Sequence, residues 1–275
     1  MFDSKIPRIF ITTMDLQLNG KTALVLAASR GLGKACAAAL AAEGADLIIG
    51  ARDAAALEAT AAELRTLGKG RVIAIPVDVT DAAQGADIVS AAATTFGKID
   101  ILINNAGGPP FAPFETFDDA AWRSAFELSL LSTVRFSRLV LPHMRKTGSG
   151  RIINIISLSV KTYVPNSILS TSMRMGVVGM AKMLATELGP DNITVNNVAP
   201  GSILTDRLKQ TMTGPGSNAQ TLEEAMAQRS KEIPLGRIGK PEELAALVTF
   251  LASPLAGYIT GTTIQVDGGA IKTPY

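Results

Sequence analysis

Seven short apolar runs alternate with Ala- and Leu-rich segments between Thr22 and Val266. Thr22–Ala28 (TALVLAA) is apolar at successive positions, not at every second one, which suits a strand covered on both faces. Asp46–Ile49, Arg71–Val77, Ile99–Ile103, Arg151–Ile156, Thr194–Val198 and Thr262–Val266 read the same way. The intervening Gly31–Ala42, Asp53–Leu67, Asp81–Phe96, Asp118–Arg145, Ile168–Leu188 and Pro241–Leu251 read as helices. Parallel strands need crossovers of about that length, and right-handed crossovers lay helices on both faces. The expected fold class is therefore α/β: a single doubly wound parallel sheet of about seven strands with helices on both faces. Ligands in such sheets bind beyond the carboxyl ends of the strands, where the strand order reverses.

Composition narrows the function classes. Of 275 residues, 47% are apolar, enough for a sizeable core. The formal charge of +2 gives no signal for nucleic acid. No apolar run reaches membrane-spanning length, so no membrane partner is expected. One cysteine, Cys36, excludes an internal disulfide framework and fits a cytoplasmic location. One histidine, His143, argues against a His-rich metal site, and no metal is expected. His143 ends a long helix and reads as a charge at its C-terminus; Cys36 reads as a small core residue. Residues 1–13 (MFDSKIPRIFITT) lack the features of a secretory signal and read as a flexible extension, with an oligomer arm as the functional alternative. Residues 14–275 read as one domain, with a Gly/Ser/Thr-rich lid at about 203–232.

The residues after the strands carry the candidate chemistry. Ala27–Gly33 (AASRGLG) joins the first strand to the first helix. Glycines there permit close approach of a phosphate to the free N–H groups of the helix end. After the second strand no acid stands at 50–52, where an NAD-selecting site would place one. Arg30 and Arg52 can instead hold a 2′-phosphate, so NADP(H) is expected in preference to NAD(H). Asp53 reads as a helix N-cap.

These turns, with DVTD at 78–81, NNAG at 104–107, APG at 199–201 and VDGG at 266–269, resemble the short-chain dehydrogenase/reductase family, with the flavour of its 3-oxoacyl-(acyl carrier protein) reductases. The order and spacing match over about 16–270. The resemblance implies a Rossmann-type domain, a nicotinamide dinucleotide, a small-molecule substrate and a homo-oligomer, dimer or tetramer. It assigns Ser29, Arg30, Gly31, Leu32 and Gly33 to the phosphate turn and Arg52 to the ribose end. It places Asp78 and Val79 at the adenine, and Asn105, Ala106 and Gly107 at the adenosine turn. Pro200, Gly201, Ile203 and Thr205 fall beside the nicotinamide and pyrophosphate. The family's Thr-Gly opening is Leu26-Ala27 here, which puts a methyl where the backbone meets pyrophosphate.

The catalytic positions depart further. The family works with Asn, Ser, Tyr and Lys, the last two spaced as YxxxK about 13 residues after the Ser. Ser157 matches the Ser; Ser170 and Arg174 occupy the Tyr and Lys positions, and Ser129 the Asn position. A serine falls roughly 4 Å short of a phenol oxygen. Arg174 can hold ribose hydroxyls or a substrate carboxylate but cannot relay a proton. Tyr163, with Lys161 nearby, is the candidate replacement acid. Trp122 and Phe126 read as a core or oligomer stripe, and Gly176 and Gly179 as sites of close packing. Three functions remain: an NADP(H)-linked oxidoreductase with an altered proton path, a non-redox lyase-like enzyme, or a silent cofactor-binding subunit paired in a hetero-oligomer with an intact relative.

Overall fold

A computed structural model of the protein describes residues 14–213 and 221–273. The N-terminal extension expected at 1–13 and the centre of the expected lid, 214–220, lie outside the described residues. Seven strands form one sheet: β1 Thr22–Leu26, β2 Asp46–Ala51, β3 Val72–Pro76, β4 Ile101–Asn104, β5 Gly150–Ile155, β6 Ile193–Pro200 and β7 Thr263–Val266. All neighbours pair in parallel, in the order β3-β2-β1-β4-β5-β6-β7. The order reverses between β1 and β4, which opens a crevice at their carboxyl ends. The helices are α1 Gly31–Ala42, α2 Ala54–Leu64, α3 Ala82–Phe96, α4 Asp119–Phe126, α5 Ser132–Thr147, α6 Ile168–Glu187, α7 Asp206–Thr213, α8 Leu222–Lys231 and α9 Pro241–Ala252.

Both sheet faces are dry, as the continuous apolar runs require. On one face Val25, Ile49 and Ile103 pack with Cys36 and Leu40 of α1, Leu57 and Leu64 of α2, and Leu244 and Val248 of α9. On the other, Leu24, Ile48 and Leu102 meet Ile88 of α3, Phe136 and Val140 of α5, and Ala181 of α6. Burial pushes the Cys36 thiol up to about 12, so it remains an uncharged core group at neutral pH. Among the described residues, no helix is long and apolar enough to cross a membrane, and no cluster of His, Cys, Asp and Glu could hold a metal ion.

Asp118–Arg145 is not one helix. A π-helical turn, Glu127–Leu131, separates α4 from α5. There the Ser132 hydroxyl donates to the Leu128 carbonyl, and the Thr133 hydroxyl to the Ser129 carbonyl. Such back-bonding by small hydroxyl side chains competes with the regular helical ladder, and π turns gather at functional sites. Leucine spacing on either side conceals the break.

A buried polar row crosses the carboxyl end of the sheet. Asn104 of β4 donates to Asn154 of β5 at 2.9 Å, Asn154 to Asn197 of β6 at 2.9 Å, and Asn197 to Thr263 of β7 at 3.1 Å. These residues are register partners on adjacent strands. Replacing Asn154 with Val leaves neighbouring amide groups buried without their partners. Loss of about 2 kcal/mol is expected, lowering Tm by about 4–8 °C in a thermal melt.

Candidate active site

The first turn is built to stay open. α1 begins after Arg30, whose side chain does not cap it, so the first N–H groups of the helix face outward without a side-chain acceptor. By contrast, Asp53, Asp81 and Asp118 cap α2, α3 and α4 through their carboxylates. Gly31 has φ +57°, and a Cβ on Gly33 would run into the Ala27 carbonyl oxygen. Ala27 itself has φ +49°, a left-handed conformation that costs a non-glycine residue about 1–2 kcal/mol. The Asn105 side chain reaches the Ala27 carbonyl at 3.5 Å. A strained alanine between uncapped helix and glycine turn leaves a backbone cradle suited to a phosphate.

Arg30 and Arg52 are exposed beyond the adjacent strands β1 and β2, with no ion pair or hydrogen bond from either guanidinium among the described residues. Asp78 is fixed by Thr80, whose N–H and hydroxyl donate to Oδ1 at 2.9 and 2.7 Å. Those bonds, with a smaller contribution from Arg52, hold its carboxyl below the ordinary range. Val79 is tied down from below, because buried Arg135 of α5 donates to its carbonyl at 2.8 Å. On the far side, the loop after β6 is pinned to the closing glycines. A Cβ on Gly201 would meet Asp267 at 2.7 Å, and Asp267 accepts from Gly269 and Ile271 N–H groups. Ile203 bridges Gly239, while the Thr205 hydroxyl accepts from Leu208 N–H as α7 begins.

The centre holds an arginine. Arg174 of α6 donates through Nε to Ser170 Oγ at 3.1 Å and through Nη1 to the Ile155 carbonyl at 2.8 Å. Burial, with a smaller push from Arg207, brings its pKa down to about 10, so the guanidinium stays charged at neutral pH. Ser170 is buried. Ser157, at the end of β5, accepts from Ser159 N–H at 3.1 Å. Beneath Arg174 lies a cavity of about 10 Å³, also lined by Asn104, Ser129, Thr133 and Ala106. Asn104 Oδ1 and Ser129 Oγ are buried without a hydrogen-bond partner. The cavity is about one water in size, and those two atoms are the groups a water would satisfy.

The structure thus brings Ser170 and Arg174 together beside the crevice. It does not do so for Tyr163, which is 85% exposed and makes no hydrogen bond to Ser157. Lys161 turns away to Gln265 of β7, at 2.8 Å. Two contributors escaped sequence reasoning. Asn104 sat within a recognised motif, but only its strand register reveals the row it terminates. Arg207, whose Nη2 donates to the Pro109 carbonyl at 2.6 Å, lies in a stretch read as lid, and no local pattern marks it.

Replacing Ala27 with Gly removes the left-handed strain at the cost of chain entropy. The net expectation is a gain of about 1 kcal/mol, seen as a rise in Tm of about 2–4 °C; an unchanged or lower Tm would contradict it.

Comparison with known proteins agrees with this geometry. The family profile described as Enoyl-(Acyl carrier protein) reductase matches residues 26–270. Short-chain reductase protein NovJ of Streptomyces niveus is 38% identical over 247 residues, spanning 90% of this chain and 92% of that protein. The 3-oxoacyl-[acyl-carrier-protein] reductase FabG of Haemophilus influenzae is 38% identical over 252 residues, or 92% of this chain and 98% of that one. L-sorbose reductase from Gluconobacter frateurii, solved with NADPH and L-sorbose, superposes with a TM-score of 0.88 at 32% identity, covering 94% of this chain and all of that chain (100%). The chain belongs to the short-chain dehydrogenase/reductase family, resembles its 3-oxoacyl-(acyl carrier protein) reductases, and is an NAD(P)-dependent oxidoreductase.

Proposed function

We propose that the protein is an NADP(H)-linked oxidoreductase for a carbonyl/alcohol substrate, or a related C=N or C=C group, with Ser157, Ser170 and Arg174 standing where the family uses Ser, Tyr and Lys. The observation that carries this reading is the Arg174–Ser170 pair at 3.1 Å on α6, four residues apart, as in the family's YxxxK spacing. The uncapped start of α1 and the tight Gly33–Ala27 approach fit a pyrophosphate. Ser29 to Gly33 would hold it, with Asp78, Val79 and Asn105 to Gly107 along the adenosine, and Pro200, Gly201, Ile203 and Thr205 at the nicotinamide end. Arg30 and Arg52 would take the 2′-phosphate. A nicotinamide held there would supply hydride exchange with the substrate carbon.

The chain's own groups do the rest. Ser157 and Ser170 hydroxyls orient the carbonyl oxygen, and Arg174 stabilises the negative charge that develops there. Arg174 keeps its proton at neutral pH, so the proton must come from water. Asn104 Oδ1 and Ser129 Oγ, in the cavity beneath Arg174, can hold such a water. Ordinary turnover is expected to be slow, because losing a positioned general acid costs about 10²–10⁴ in rate. The working unit is proposed to be a cytoplasmic homo-oligomer of single-domain subunits.

A second reading rests on the tyrosines. Tyr163 and Tyr258 are both strongly exposed, so no described phenol serves the site. A silent cofactor-binding subunit, paired with an intact relative, would show NADPH binding without turnover and co-purification of that relative.

Two measurements test the main reading. Arg52→Ala is expected to weaken NADPH about tenfold, the size of one charge-assisted contact, and to leave NADH within about threefold; equal losses for both cofactors would contradict the 2′-phosphate assignment. The double change Ser170→Tyr with Arg174→Lys should raise reduction of a neutral ketone by about 10²–10⁴. If the wild-type protein already matches that rate, the altered proton path is wrong.

A further inference from the structure

Arg174 is not the only guanidinium at the mouth of the crevice. Arg207, on α7, is an exposed residue whose guanidinium is laid against the loop that follows β4. A Cβ on Gly108 would meet its Nη2 at 2.9 Å and its Cζ at 3.2 Å, so the guanidinium lies directly on that glycine. It also stands 5.7 Å from the centroid of the Phe111 ring. Among the described residues its one hydrogen bond, to the Pro109 carbonyl, leaves most of its donors unspent. Arg174 likewise spends only two donors, on a hydroxyl and a carbonyl. Both acceptors are neutral. Among the described residues, neither arginine has a carboxylate within ion-pair distance, although eleven such pairs occur elsewhere.

Both guanidiniums lie along the chain that leaves β4: Arg174 shares a cavity lining with Asn105 and Ala106, and Arg207 sits on Gly108 and Pro109; like charges placed so near raise each other's free energy. Elsewhere this chain meets that cost: buried Arg135 has Glu127, at 3.4 Å. Here no carboxylate among the described residues pairs with either guanidinium. The two side chains also approach from different elements, α6 beside the sheet and α7 above the loop at 108–111, and so flank the substrate side of the crevice.

We propose that the substrate carries an anionic group, a carboxylate or a phosphate, held between Arg174 and Arg207. This rests on the oxidoreductase reading and names the substrate class for the same site. Planar guanidinium forks with free N–H groups match either anion bidentately. The anion removes the repulsion between the arginines, so binding discriminates by charge before chemistry occurs. An oxo acid or a phosphorylated ketone fits; the corresponding ester or unphosphorylated ketone does not.

The test is calorimetric titration of the full-length protein, with and without NADPH. The probes are straight-chain 2- and 3-oxo acids of three to ten carbons, their methyl esters, and inorganic phosphate. At least one acid, or phosphate, should bind at least tenfold more tightly than its uncharged counterpart (for phosphate, than the best ester). Arg207→Ala should erase that preference while leaving NADPH affinity unchanged. Arg207→Lys should restore part of it, since charge survives without the fork. Because Arg174 holds its charge until about pH 10, the preference should be flat from pH 6 to 9 and fall above that value. Equal affinity for acids and esters, or no binding of any anion, overturns the proposal. So does an anion that binds the free protein but is expelled by NADPH, which would make the cofactor's own phosphate the occupant. Failure of NADPH to bind, with anion preference intact, would overturn the redox reading alone.

Discussion

A parallel sheet with both faces dry has only its edges and ends for polar work. In this chain every strand runs the same way, so every loop that follows a strand emerges on one side. The crevice between β1 and β4 gathers them: the glycine turn before α1 from one half, the Ser157 and α6 groups from the other. Covering each face with Ala-rich α1 and α2 or with α3, α5 and α6 is what forces this concentration. The location of the site is thus a consequence of burial, not of any single motif.

Within that frame the central charge decides the chemistry. A buried ammonium beside a phenol is a proton-transfer device; a buried guanidinium beside a serine is not, because neither group yields a proton near neutrality. What Arg174 offers is fixed positive charge, oriented by Ile155 and Ser170 and held in a poorly solvated place. Such a group stabilises negative charge, whether it belongs to a developing alkoxide or to a substrate that arrives charged.

The fold was legible because its signal is long-range and redundant. Continuous apolar runs separated by Ala-rich stretches admit few architectures, and the strand boundaries followed within a few residues. The π turn between α4 and α5 was hidden because the backbone stays helical through it, and the hydroxyl-to-carbonyl bonds of Ser132 and Thr133 are open to them on a regular helix too. At the site, the open turn between β1 and α1 was readable from local glycine chemistry, although a left-handed conformation falls on Ala27 as well as on Gly31. Tyr163 was a reasonable candidate by distance along the chain, yet its loop turns the phenol into solvent. Arg207 could not be anticipated, since its importance arises from a loop almost a hundred residues away.

The asparagine row also carries a net dipole. Each amide gives its NH₂ to the next, and Asn154 and Asn197 also receive on their oxygens, so the dipoles of Asn104, Asn154 and Asn197 all point one way. Their positive end is spent at Thr263, on the outer strand. Their negative end is the Asn104 oxygen, which has no hydrogen-bond partner among the described residues and belongs to a residue lining the same cavity as Arg174. Aligned dipoles of this kind act as a fraction of a negative charge placed beneath the guanidinium. The sheet itself thereby helps a cation to survive where water is scarce, and leaves it facing the crevice unneutralised.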